Sequence, residues 1–157
     1  MPKAYYNCRF AYIEVAEEDG IITECNFFQK MPAEAKNTKS STPLLAEAVK
    51  QLDEYFKGNR KKFVLPLKVN GTPFQQKVLK EVMKVPYGKT ASYSEIAERI
   101  GNPNAVRAVG TANKINCVPL LIPCHRIIAK NGHVRGGESK QAVKTSLLKH
   151  ENPNFGD

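Results

Sequence analysis

Apolar residues gather in two short limbs near the start of the chain. Phe10, Tyr12 and Val15 lie on the first limb, and Ile21, Ile22, Phe27 and Phe28 on the second. Between them Glu17-Glu18-Asp19-Gly20 supplies turn residues, so the segment reads as a β-hairpin. Residues 31–42 are polar, contain Pro32 and read as a loop. Ser41-Thr42-Pro43 then offers a capping hydroxyl followed by proline in a first helical turn. Leu45, Val49, Leu52 and Phe56 follow at spacings of four, three and four, which is one face of a helix ending at Gly58. Phe63 to Val69 reads as a strand that Pro66 restricts to an edge or an irregular piece.

Asn70-Gly71 is the best boundary, dividing the chain into 1–70 and 71–157. Beyond it Thr72-Pro73 repeats the helix-start chemistry. Phe74, Val78, Leu79, Val82 and Val85 form an apolar stripe, and Pro86-Tyr87-Gly88 stops it. Residues 89–115 carry the clearest supersecondary signal. Ser92 or Thr90 caps a short helix with Ile96, Ala97 and Ile100. Gly101-Asn102-Pro103-Asn104 turns the chain, and a second helix runs from about Ala105 through Ala112. Two helices joined by a short glycine-containing turn make a helix-turn-helix. Its second helix, Ala105-Val106-Arg107-Ala108-Val109-Gly110, has small side chains and one long cation. Small residues allow close approach to a groove, but this helix lacks the Asn, Gln and multiple Arg that read base edges. Binding without strong sequence preference is the expectation, which argues against a sequence-specific transcription factor.

Charge sharpens this picture. The 157 residues carry 24 Lys and Arg against 15 Asp and Glu, a net charge of +9. Residues 1–70 contribute +2 and residues 71–157 contribute +7. A basic half beside a near-neutral one suits contact with a polyanion. The first residues lack the apolar core of a signal peptide, and no apolar run approaches the ~18 residues of a membrane span. The expected location is the cytoplasm, or the nucleus in a eukaryote, with no membrane partner.

The four cysteines, 8, 25, 117 and 124, have no CxxC spacing and read as reduced thiols. Three histidines at 125, 133 and 150 do not pair with them at zinc-finger spacing, so no metal is expected. Cys124 stands apart. Val118-Pro119-Leu120-Leu121-Ile122-Pro123 precedes it as a stiff apolar approach, and His125-Arg126 follow. A thiolate is the nucleophile, and it needs a base or cation nearby. His125 can serve directly or through one water. An isolated Cys-His pair reads more readily as a buried structural thiol beside a surface histidine, because a free cysteine is usually a small core residue.

The surrounding motifs decide between those readings. A Ser-Tyr-x-x-Ile-Ala helix, the Arg107-Ala108-Val109-Gly110 helix, Asn116-Cys117-Val118-Pro119 and Ile122-Pro123-Cys124-His125-Arg126 occur in that order. Across roughly residues 72–151 the chain resembles the O6-alkylguanine-DNA alkyltransferases, also called methylated-DNA–protein-cysteine methyltransferases. The resemblance implies an α/β (α+β) fold. A small N-terminal subdomain would hold an antiparallel sheet and a helix, and a mostly helical C-terminal subdomain the helix-turn-helix. It also implies irreversible transfer of a methyl or larger alkyl group from O6-alkylguanine, and by extension O4-alkylthymine, in double-stranded DNA to Cys124. The protein would act once, as a monomer and without a cofactor.

By the same resemblance His125 is the water-bridged base and Glu151 the carboxylate that orients it. Tyr93 helps turn out the nucleotide, and Arg107 fills the gap left in the duplex. Ala105, Val106, Ala108 and Gly110 face the DNA. Asn116 bridges the two helices and supports the cysteine loop. Pro119 and Ile127 are pocket-wall positions. The fit to chemistry is direct, because a stacked base hides its O6 and must be extruded into a pocket.

One segment departs from the family. Its glycine-tyrosine-x-glycine-glycine loop is replaced by Gly132-His133-Val134-Arg135-Gly136-Gly137-Glu138, without the tyrosine. Counted from Cys124, the main chain of Glu138 falls where the base oxygen would meet an N–H. His133 and Arg135 bring cations to the same loop. Alkyltransferase-like proteins, which bind lesions without reacting, lack the acceptor cysteine that this chain has.

Overall fold

A computed structural model describes residues 1–33 and 42–156. The chain forms two compact units, Met1–Lys68 and Val69–Asp157.

In the first unit three strands make an antiparallel meander: β1 (Lys3–Cys8), β2 (Ala11–Glu18) and β3 (Ile21–Phe28), in that spatial order. The expected hairpin is β2–β3. Its turn is tighter than the sequence suggests, because Glu17 and Glu18 remain in β2 and only Asp19 and Gly20 turn the chain. Both have positive φ, 52° and 77°, the left-handed pair of a two-residue hairpin whose twist matches the strands. Strand β1 has no counterpart in the sequence reading. Its inward positions, Ala4 and Cys8, are small, so the alternation carries little hydrophobic signal.

Helix α1 (Pro43–Phe56) is capped by Thr42, whose hydroxyl accepts the Leu45 N–H at 3.1 Å. Ser41 and most of the loop expected over 31–42 lie outside the described residues. Leu45, Ala48, Leu52 and Tyr55 form the buried face, whereas Val49 and Phe56 are half-buried. The strand expected over 63–69 is instead a single parallel bridge, Leu67 to Ile22. The Ile22 N–H meets the Pro66 carbonyl at 2.8 Å and the Lys68 N–H meets the Ile22 carbonyl at 2.9 Å. Pro66 has no N–H to extend the ladder. The buried Gln51 amide fills the next place, accepting from the Val64 N–H at 2.9 Å and donating to its carbonyl at 3.0 Å.

The second unit begins with α2 (Pro73–Val82), which has a complete capping box. Thr72 Oγ1 accepts the Gln75 N–H at 3.2 Å, and Gln75 Oε1 accepts the Thr72 N–H at 2.9 Å. Gly71, at φ 101°, makes room for it: a Cβ there would sit 2.6 Å from Gln75 Oε1. Thr72→Ala is therefore expected to cost about 1 kcal/mol. A urea titration with unchanged slope and a lower midpoint would show it. The helix ends at Val82, before the expected Pro86-Tyr87-Gly88 stop, although Val85 is still buried beyond it.

There follow β4 (Ala91–Ser92), α3 (Tyr93–Arg99), α4 (Val106–Lys114), β5 (Ile127–Ile128) and α5 (Glu138–Glu151). Ser92 is the cap of α3, accepting the Glu95 N–H at 3.0 Å. Helix α4 starts one residue later than expected, with Ala105 as its cap, and runs two residues further. The parallel pairing of β4 with β5 and the long helix α5 are features that the sequence reading did not anticipate.

Candidate active site

Asn116 to Pro123 form a loop closed on itself. The Val118 N–H donates to Asn116 Oδ1 at 3.1 Å, and Asn116 Nδ2 donates to the Ile122 carbonyl at 3.0 Å. The Ile122 N–H reaches the Val118 carbonyl at 2.9 Å, and the Cys124 N–H the Ile122 carbonyl at 2.7 Å. At the tip, buried Leu120 takes φ 76°, a left-handed conformation that costs a non-glycine residue on the order of 1 kcal/mol. So closed a loop fixes the residue that leaves it, Cys124. Asn116 thus clamps the loop. The side chain that ties the loop to the helix-turn-helix is Asn113 of α4, whose Nδ2 donates to the Cys124 carbonyl at 3.2 Å. Sequence reasoning passed over Asn113, because its burial and its contact with the loop leave no local pattern.

Cys124, His125 and Arg126 form one 3₁₀ turn, and all three are buried. Burial pushes the Cys124 thiol above its usual range, against the opposing pull of the Asn116 amide, the Lys144 charge and the Leu120 N–H. At rest the sulfur therefore keeps its proton.

Beside it lies a network centred on Glu151, at the end of α5. His125 Nε2 is 2.8 Å from Glu151 Oε2. Arg126 Nε donates to Oε1 at 2.8 Å and Nη2 to Oε2 at 2.9 Å, while Nη1 donates to the Val85 carbonyl at 2.8 Å. The Gly88 N–H reaches Oε1 at 3.4 Å. Burial alone would raise the Glu151 carboxyl. The hydrogen bonds and charges of its partners, His125 first and then Arg126, outweigh this and hold it well below the usual carboxylate range. Burial lowers His125 more than Glu151 raises it, so the imidazole is neutral. Its single N–H points from Nε2 to the carboxylate, and Nδ1 is buried with no hydrogen-bond partner among the described residues. Arg126, absent from the sequence-based site, is the cation that makes a buried carboxylate tenable.

Strand pairing brings the helix-turn-helix to this cluster. Ala91 and Ser92 pair with Ile127 and Ile128, so α3 starts where the cysteine turn ends. Tyr93, the first residue of α3, is buried, and its ring lies against Gly110 of α4. Val106, Arg107 and Ala108 point outward from α4, whereas Val109 and Ala112 pack inward. Ile127 is buried and Pro119 half-buried. Glu138 is the exposed first residue of α5. Among the described residues no group of His, Cys, Asp and Glu side chains could hold a metal ion. Among them, too, no helix is long and apolar enough to cross a membrane.

Fold and site together define a helix-turn-helix protein built around a buried cysteine with a histidine–glutamate–arginine cluster beside it. Residues 73–153 match the model of the 6-O-methylguanine DNA methyltransferase DNA binding domain, and residues 1–69 that of the ribonuclease-like domain of the same proteins. The constitutive methylated-DNA–protein-cysteine methyltransferase of Bacillus subtilis is 48% identical over 143 residues, 87% of each chain. That of Methanosarcina acetivorans is 47% identical over 105 residues, 67% of each. The crystal structure of Mycobacterium tuberculosis O6-methylguanine methyltransferase superposes with a TM-score of 0.84 at 33% identity, covering 97% of this chain and 93% of that one. The Mycobacterium tuberculosis OGT in complex with DNA gives the same TM-score at 32% identity, covering 98% and 94%. The chain belongs to the 6-O-methylguanine DNA methyltransferase family.

Proposed function

We propose that this protein repairs DNA by taking the alkyl group of O6-alkylguanine onto Cys124, irreversibly and once per molecule. The observation that carries the reading is the placement of His125, with Nε2 2.8 Å from Glu151 and Nδ1 buried. With its only N–H committed to Glu151, Nδ1 is left as a buried base one residue from a buried thiol. The Cys124 proton passes to Nδ1, directly or through one water, and Glu151 stabilises the imidazolium that forms. Sulfur attacks the alkyl carbon as the carbon–O6 bond breaks, and the electron pair leaves with guanine, which takes up the proton. The products are guanine and an S-alkylcysteine. A thioether has no leaving group to return the thiol, so turnover ends there.

The helix-turn-helix prepares this chemistry. Ala105, Val106, Ala108 and Gly110 allow α4 to lie close in the groove of double-stranded DNA. Arg107 occupies the space of the extruded base, and Tyr93 turns the nucleotide toward Cys124. Pro119 and Ile127 wall the base pocket. The Glu138 N–H, a free donor at a helix start, is the group available to the base oxygen. Asn116 holds the cysteine loop in register. The protein acts as a monomer in the cytoplasm and needs no cofactor.

The test is incubation with duplex DNA carrying one O6-methylguanine, followed by intact and peptide mass spectrometry. One methyl is expected on the peptide containing Cys124, with stoichiometric loss of the lesion. Tight lesion binding with an unmodified thiol would sink the reading.

A further inference from the structure

Residues 132–137, the loop that departs from the family pattern, are held at defined points. The Gly132 N–H meets the Ala129 carbonyl at 2.8 Å, and the Ala129 N–H meets the His133 carbonyl at 2.9 Å. From α5, Lys144 Nζ donates to the Arg135 carbonyl at 3.2 Å. The main chain at Arg135 is thus anchored, and its side chain projects from a fixed point. The guanidinium carbon lies 5.5 Å from the centroid of the Tyr93 ring. Tyr93 therefore sits between Gly110 of α4 and Arg135 of the loop, between the helix expected to meet DNA and the segment expected to cover the base.

The surroundings of this guanidinium differ from those of the ion-paired arginines. Arg126 is buried and bidentate on Glu151, Arg60 pairs with Glu54 and Arg99 with Glu95. Arg135 is exposed, has no carboxylate partner among the described residues, and rests on an aromatic face. An exposed cation–π contact is weak beside the bidentate bonds a guanidinium makes to phosphate. With Tyr93 turning the nucleotide as proposed above, extrusion moves the flanking phosphates off the duplex path on the side of this ring. A phosphodiester arriving there meets a cation with no competing counter-ion.

We propose that Arg135 is the phosphate-holding residue of this loop, exchanging the Tyr93 ring for the backbone phosphate of the extruded nucleotide. It is a positioning residue, since it acts on the nucleotide and not on the reacting atoms, and the proposal rests on the alkyl transfer proposed above. It assigns to a cation the closing contact that the absent tyrosine would otherwise provide.

Two substrates separate this role from others. One is duplex DNA bearing O6-methylguanine. The other is free O6-benzylguanine, which has no phosphate. Single-turnover transfer to Cys124 is measured for the wild type, Arg135→Ala and Arg135→Lys over a range of salt. Arg135→Ala is expected to slow transfer from duplex about tenfold and to lower the salt slope of duplex binding by about one, as for loss of one phosphate contact. Its rate with the free base should stay within about twofold of wild type, because that substrate offers no phosphate to hold. Arg135→Lys, which keeps the charge without the fork, should fall between. An equal loss on both substrates would overturn the proposal by placing Arg135 in the pocket or the loop fold. Unchanged duplex rate and salt slope would overturn it as well. Failure of the wild type to alkylate with either substrate would instead remove the underlying transfer reaction, and the proposal with it.

Discussion

Cys124→Ser mixed with O6-methylguanine duplex is expected to acquire no methyl while binding that duplex as the wild type does. The hydroxyl has nearly the size of the thiol, but a histidine cannot supply a usable alkoxide at neutral pH for attack on a saturated carbon. The donors that face the sulfur, the Asn116 amide and the Leu120 N–H, can bond the hydroxyl equally well. The stability change should therefore stay near 1 kcal/mol or less. Methyl transfer by mass spectrometry and lesion affinity by fluorescence anisotropy check the two halves of this outcome. A methylated Cys124→Ser protein would show that another residue accepts the group. Loss of binding together with transfer would show that Cys124 shapes the fold of the DNA-facing unit.

Glu151→Gln is expected to have the second large effect, on both stability and rate. The carboxylate accepts from His125, twice from Arg126 and from Gly88. An amide leaves the buried Arg126 without a counter-charge, and its own NH₂ faces donors. Removal of one partner of a buried pair costs roughly 3–5 kcal/mol. Rate should fall by about 10²–10³, because His125 loses both its orientation and the stabilisation of its protonated form. Adding Arg126→Met to Glu151→Gln removes the stranded charge. That double variant should recover much of the stability and little of the rate. Recovery of both would mean that Glu151 acts only through packing.

The same network sets the acid side of the stability curve. Glu151 is held low in the folded state, so its contribution is fully present above about pH 5 and is lost as pH falls through the folded value. His125 is also lowered, so below about pH 6.5 the unfolded chain takes a proton that the folded one declines. Both effects have one sign: stability should fall below about pH 6.5 through His125 and further below about pH 5 through Glu151. In Glu151→Gln the carboxylate part disappears, so the decline below about pH 5 should be shallower. Urea midpoints between pH 2 and 8 measure it.

Local chemistry accounts for most of what the sequence by itself determined. Thr42-Pro43, Thr72-Pro73 and Ser92 announce helix starts because capping needs only neighbouring residues. Asp19-Gly20 announces a hairpin because only certain residues tolerate its dihedrals. The order of the helix-turn-helix, Asn116 and Pro123-Cys124-His125-Arg126 identified the family and directed attention to Cys124, His125 and Glu151. Tertiary structure decided what those residues are doing. Glu151 binds His125 and Arg126 across 25 and more positions, and no local pattern records that these two together hold the carboxylate ionised. Two residues of β4 meet two of β5 across more than thirty positions, a pairing too short to leave a periodicity. Asn113 joins α4 to the Cys124 carbonyl, and Arg135 comes to rest on Tyr93, by packing alone. Side-chain chemistry is written in the residues themselves. Protonation state and partnership depend on burial and on groups far away in the chain, and only the folded chain brings those together.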